Sequence, residues 1–144
     1  MPVEIYRAGQ ADYDEIASLY AEARYGAAIG MDDTVLVARS SVQIIGAVRL
    51  CPEQGVMVLR GMQIRTAFQR QGIGARLLAA CQPYLDRGEA FCLPYTHLKA
   101  FYALSGFEPV HTAALPDFLA ERLASYRMNG QDVLAMRRPA SSSS

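Results

Sequence analysis

Residues 56–85 constrain the fold most. "VMVLRGMQIR" (56–65) reads as a strand bent at Gly61, and "TAFQRQ" follows as a polar loop. The next stretch, "GIGARLLAACQPYL", carries Ile73, Leu77, Ala80, Cys81, Tyr84 and Leu85 on one face at helical spacing, with Pro83 irregular in its last turn. A strand, a polar loop and an amphipathic helix that opens on Gly72 and Gly74 leave the helix's first-turn amides uncovered. Such amides, at the positive end of the helix dipole, hold anions. The two glycines let a diphosphate approach the main chain, and Arg70 adds a charge-assisted contact. An ordinary loop and helix start, with small residues for packing, accounts for the same six residues, so the flanks must decide.

Two other phosphate motifs fail. A P-loop needs GxxxxGK[ST], and the chain has no Gly-Lys-Ser or Gly-Lys-Thr. A dinucleotide fingerprint needs a third glycine where Leu77 stands, and its glycines follow the strand at once, whereas Thr66 to Gln71 intervene here.

The remaining elements alternate in type. Val3–Arg7 reads as a first strand and Ala11–Arg24 as an amphipathic helix that Asp12 caps, followed by the loop "YGAAIG". Thr34–Arg39 and Val42–Leu50 form a hairpin across Ser40-Ser41, with "CPEQG" as the link to the strand at 56. Glu89–Leu93 is a short strand, Thr96–Leu104 a helix capped by Thr96, and "FEPV" another strand. "LPDFLAERLASYRMNG" is a helix opened by Pro116 and closed by Gly130, and "DVLAMRR" a last strand. The expected fold class is α/β, a mixed sheet of six to seven strands flanked by helices. The expected organisation is a single domain over 1–139 and a disordered tail over 140–144.

Fourteen basic and fourteen acidic residues give a formal net charge of zero, so no global field attracts nucleic acid or a membrane surface. No apolar run is long enough to span a bilayer, and the start is not a signal peptide, which leads to the expectation of a cytoplasmic protein. Cys51, Cys81 and Cys92 cannot all pair and lack CxxC spacing, so buried reduced thiols are expected.

The flanks of the glycine motif resemble the GNAT superfamily of N-acetyltransferases, whose signature is [Q/R]-x-x-G-x-[G/A]. Gln69-Arg70-Gln71-Gly72-Ile73-Gly74 matches every fixed position, although Thr66 stands where the family often has proline. About 30 residues later "FYALSGFEPV" resembles that family's F-Y-x-x-x-G-F segment, with Tyr102 four residues before Gly106. The resemblance covers roughly residues 2–138.

It implies a mostly antiparallel sheet in which the strands at 56–65 and 89–93 form a splayed parallel pair holding acetyl-CoA. Main-chain groups of Met62, Gln63 and Ile64 would face the pantetheine arm and the thioester oxygen, and the amides of Gln69, Arg70, Gln71, Gly72, Ile73, Gly74 and Ala75 the pyrophosphate. Tyr102 would be the general acid that protonates the departing thiolate, and no metal is needed. The reaction would be direct transfer to a primary amine of a small molecule or peptide, with Cys92 a much weaker candidate for a covalent relay.

No acid lies on 56–65 to serve as base. Glu53, Glu89 and His97 are weighed and the base stays unassigned. Arg49, Arg60 and Arg65 are candidates to bind a substrate carboxylate, and Tyr20, Tyr25 and "YGAAIGMDD" to line the acceptor side. The helix at 115–128 offers a face for a possible homodimer. Beside the enzyme stands a second reading, a non-catalytic acyl-CoA-binding protein, which the missing strand acid favours and Tyr102 opposes.

Overall fold

A computed structural model of the chain describes residues 2–26 and 28–140. Ala27 of the loop expected at 25–30, and positions 141–144 of the expected tail, lie outside the described residues. Among those described, seven strands make one sheet: β1 (Glu4–Arg7), β2 (Thr34–Arg39), β3 (Ile44–Glu53), β4 (Val56–Ile64), β5 (Ala90–Cys92), β6 (Glu108–Pro109) and β7 (Met136–Arg138). Their spatial order is 1-2-3-4-5-7-6, and β4 with β5 is the one parallel pair. The mixed, mostly antiparallel sheet expected from the sequence is the sheet observed.

Among the described residues five α-helices flank it: α1 (Tyr13–Glu22), α2 (Ile73–Ala80), α3 (Gln82–Leu85), α4 (Lys99–Ala103) and α5 (Asp117–Met128). On one face, α2 and α4 bury Ile73, Leu77, Leu78 and Tyr102 against Leu36, Ile45, Val48, Leu50 and Leu59. The opposite face is covered by two separate helices. Ile16, Leu19 and Tyr20 of α1 pack on Val35, Val37, Ile44 and Ala47, while Leu119 and Leu123 of α5 pack on Cys51, Val58 and Phe91. The space between α1 and α5 is where the cleft opens. Because Leu115, Leu119 and Leu123 are buried inside the chain, α5 does not present the free apolar face that the homodimer expectation used.

Several boundaries differ from the sequence reading, each for a long-range reason. β3 begins at Ile44, since Ser40 turns the chain with its hydroxyl oxygen accepting from Val42 and Gln43, leaving Val42 exposed. It then runs on through Pro52, which β2 no longer reaches, so the missing N–H interrupts no ladder there. The helix over 72–85 breaks at Cys81, and Pro83 falls in the first turn of α3, where a missing donor costs nothing. Thr96 caps no α-helix. It starts a short 3-10 turn, and its hydroxyl donates to Asp132 at 2.9 Å instead. Asp12 likewise accepts from Gly9 N and Tyr6 Oη rather than capping α1.

Candidate active site

The cleft follows from where one strand pair stops. β4 and β5 are in register only from Met57–Ala90 to Leu59–Cys92. After Cys92 the chain enters Leu93-Pro94; proline has no N–H to continue a ladder, and the Pro94 carbonyl accepts from Leu134 N at 3.0 Å. On the other side β4 bulges. Ala47 faces Gln63 but Arg49 faces Arg60, so β4 carries one extra residue at Gly61–Met62. The β5-facing edge of β4 is therefore unpaired from Arg60 to Ile64 among the described residues, and the gap is a cleft of about 480 Å³.

Gly61 makes the bulge possible. Its φ is +66°, and a Cβ there would stand 2.9 Å from Tyr20 Oη and 3.2 Å from Arg49 Cδ. Tyr20 donates to the Gly61 carbonyl at 2.9 Å, fixing the bulge from α1. The extra residue also reverses the strand's alternation. Met57 and Leu59 face α2, and after the bulge Met62 and Ile64 do so in place of 61 and 63. Strand alternation therefore turns the main-chain groups of Met62 and Ile64 to the open edge, while those of Gln63 turn to Ala47 of β3, a difference from the expectation that all three face the gap.

The strand leads directly into the glycine motif. Gln69 closes the loop onto β4, its Nε2 donating to the Ile64 carbonyl at 3.0 Å. Its own amide already donates to Thr66 O at 3.3 Å, so the expected run of free amides begins at Arg70 rather than at Gln69. Arg70 and Gly72 both have positive φ, +65° and +79°, which turns the chain sharply before α2. The first amide to join the helical ladder is that of Arg76, bonded to Gly72 O at 3.1 Å. Those of Gln71, Gly72, Ile73, Gly74 and Ala75 have no turn behind them to bond, and they form the N-terminal end of the helix. Ile73 is buried while Gln71, Gly72 and Ala75 are exposed, so the donor surface is open to a ligand. Gly74 packs beside Phe101 of α4, which ties this loop to the helix bearing Tyr102.

Tyr102 lies across the gap, 6% exposed, with Phe101 and Phe107 edge-on to its ring. It lines the cleft with Leu59, Met62 and Cys92. Burial, and after it the neighbouring Cys92 and Cys81, push its pKa above the ordinary 10.0, so the phenol stays protonated at neutral pH. Cys92 is buried at the end of β5, and burial raises its pKa well above the usual thiol value. A thiol held protonated is a poor nucleophile, which argues against a covalent relay there. Cys51, Cys81 and Cys92 are all free and buried, as expected.

The three candidate arginines separate. Arg49 is 2% exposed and fully engaged: it bonds Asp33 at 2.7 and 3.2 Å, Tyr25 Oη at 2.6 Å and Ala28 O at 2.9 Å. Arg65 donates to Ile44 O and pairs with Glu22. Both hold the fold, and neither is free for a substrate. Arg60 alone of the three lines the cleft. Glu53, weighed as a base, is bound through both oxygens by Arg122, Glu89 pairs with Arg137, and His97 stacks on Tyr95. No Asp, Glu or His lines the cleft among the described residues. Tyr25 and Gly26 line it, whereas Tyr20 donates its hydroxyl to Gly61 and, with Tyr25, Ile29 and Met31, lines an adjoining hollow of about 910 Å³. Sequence reasoning missed Arg24, Arg122, Tyr126 and Gln131 as lining residues. They carry no local motif and meet only through the fold.

The family model described as "Acetyltransferase (GNAT) domain" matches residues 9–117. No curated protein matches the chain significantly. Solved structures share the fold at low identity. One is N-acetylglutamate synthase from Neisseria gonorrhoeae, complexed with coenzyme A and N-acetyl-glutamate: TM-score 0.72, 18% identity, 99% of this chain covered. This chain spans only 36% of that one. Another is the ribosomal-protein-S18-alanine N-acetyltransferase of Escherichia coli, with TM-score 0.72, 14% identity and 99% and 97% of the two chains covered. A third is an aminoglycoside 6'-N-acetyltransferase complexed with coenzyme A, at TM-score 0.70, 14% identity and 100% and 99% coverage.

Proposed function

The chain belongs to the GNAT acetyltransferase family, and from that premise we propose that it transfers the acetyl group of acetyl-CoA directly to a primary amine of a small molecule or peptide. One observation carries the reading. The open β4 edge ends at Ile64, one 3-10 turn at Thr66–Phe68 joins it to the uncovered amides at Arg70–Ala75, and Tyr102 lines the cleft beside that edge. An open strand edge followed by a helix N-terminus offers donors that suit an extended thioester with a diphosphate at one end.

In this reading acetyl-CoA supplies a thioester carbonyl open to attack by the amine. The amides of Arg70 through Ala75 hold its diphosphate, and main-chain groups of Met62 and Ile64 hold the arm as an added strand would. An amide at the bulge meets the carbonyl oxygen as negative charge grows there. Tyr102, protonated through burial, donates to the leaving sulfur. The amine must arrive neutral, and the cleft's charged lining residues, Arg24, Arg60 and Arg122, disfavour an ammonium beside them. No metal takes part in this reading. The three free cysteines suit a reducing compartment, and the reading sets the protein in the cytoplasm, with neither nucleic acid nor membrane as partner.

Among the described residues no carboxylate or histidine lines the cleft, which favours the second reading, an acyl-CoA-binding protein without turnover. Thiol release from acetyl-CoA across an amine panel separates the two. The enzyme reading expects amine-dependent release that Tyr102→Phe suppresses. Protection from heat by CoA, with no release for any amine, would support the binding reading.

A further inference from the structure

Resting on the cleft reading above, we infer that the acceptor amine carries a carboxylate, and that Arg60 is the residue that binds it. Arg49 and Arg60 are direct cross-strand partners on the sheet face between α1 and α5. Two like charges at opposed positions repel unless each is compensated. Arg49 is compensated within the chain, by the buried Asp33. Arg60 is not matched in the same way. Its nearest carboxylate, Glu53, is 3.7 Å away and is held at 2.7 and 3.1 Å by Arg122. The hydrogen bond described for Arg60 is a long one, 3.5 Å to Tyr126 Oη.

A guanidinium has five N–H donors in a planar fork. Here the side chain is 21% exposed and lines the cleft, so the donors not taken by Glu53 and Tyr126 are open to a ligand there. Arg24, with φ +58°, and Arg122 add positive charge to the same wall, and among the described residues no acidic side chain lines the cleft. Glu53 meets this fork only at 3.7 Å and is shared with Arg122, so a planar anion accepting two parallel N–H bonds is a better-matched partner for it. Arg60 immediately precedes the bulge at Gly61, so an acid held there sets its own amine near the open end of β4. Amino acids and short amino-carboxylates have that shape; neutral amines and polyamines do not.

The test is a matched panel: amino acids, their carboxamides and their decarboxylated amines, each assayed by thiol release from acetyl-CoA. The free acids are expected to exceed their own amides in kcat/KM by roughly 10- to 100-fold, chiefly through KM, as loss of one charge-assisted fork implies. Arg60→Gln should bring that ratio near one, and Arg60→Lys should restore part of it. Equal or better turnover of the amides, or an unchanged ratio in Arg60→Gln, would overturn the inference while leaving the acetyltransferase reading intact. If no amine is turned over, binding decides. With CoA saturating, N-acetyl-amino acids should raise the melting temperature of the parent protein and not of Arg60→Gln. No stabilisation in the parent would overturn the inference.

Discussion

In the proposed reading the cofactor's diphosphate is held by consecutive residues, Arg70 to Ala75, through main-chain amides. At the acceptor end of the cleft, Tyr25, Arg60, Arg122, Tyr126 and Gln131 act through side chains drawn from α1's trailing loop, β4, α5 and the turn beyond it. The first arrangement suits a ligand that never changes, because a helix terminus binds phosphate whatever its side chains are. The second can be altered one residue at a time without touching the first. Tyr102 stands where the two meet.

The largest expected effect falls at that junction. Tyr102→Phe removes the hydroxyl and keeps the ring packing on Phe101 and Phe107, so kcat should drop by about 10² to 10⁴ for every amine, with acetyl-CoA affinity little changed. A loss confined to particular amines would move Tyr102 to the acceptor end. Because burial raises the phenol's pKa, its deprotonation should cause no fall in rate until pH rises above 10, which an alkaline pH–rate profile checks.

Asp33→Ala probes the scaffold of the acceptor end. It leaves the Arg49 guanidinium buried without its counter-charge, for an expected loss of about 3–5 kcal/mol in urea unfolding. A loss near zero would mean that the 24–33 loop is not held by this pair. Gly72→Val probes the cofactor end alone. A β-branched residue at φ +79° costs about 1–2 kcal/mol and displaces the amides, so acetyl-CoA Kd should rise roughly 5- to 30-fold. Open space around Gly72 means that a clash cannot be the cause.

The smallest effect lies outside the cleft. Asp12 is held below its usual 3.8, first by the Gly9 amide, and Glu15 below 4.5, first by the Ile44 amide. A depressed folded-state pKa gives stability that is present above the unfolded value and lost as pH falls through the folded one. Unfolding free energy should therefore decline modestly as pH drops below about 4, and replacing Asp12 by Asn should flatten that slope.

The same division explains what was legible. The helix face from Ile73 to Leu85 and the signature Gln69–Gly74 depend on spacing and local backbone conformation, so periodicity and motif found them. The bend at Gly61 was legible as a glycine in a strand, but the extra residue shows only in the register against β3, where Ala47 faces Gln63 and Arg49 faces Arg60. Arg49, Arg60 and Arg65 look alike in sequence. Only their partners, Asp33, Glu53 and Glu22, distinguish them; Asp33 and Glu22 are distant in sequence, and Glu53, across the β3–β4 hairpin, is drawn away from Arg60 by Arg122 of α5. Thr96 had the local signal of a cap, and a distant carboxylate at Asp132 took its hydroxyl. The acceptor end was hidden for this reason: its residues share a wall and not a pattern.

The central claim is that the open edge of β4 and the amides before α2 are one binding surface for acetyl-CoA. Titrating the ¹⁵N-labelled protein with acetyl-CoA and following each amide resonance tests it residue by residue. The account expects saturable shifts at Arg70–Ala75 and at Met62–Ile64, with little change along the outer turns of α5. Saturable binding that moves other amides and leaves those two segments unshifted would contradict it.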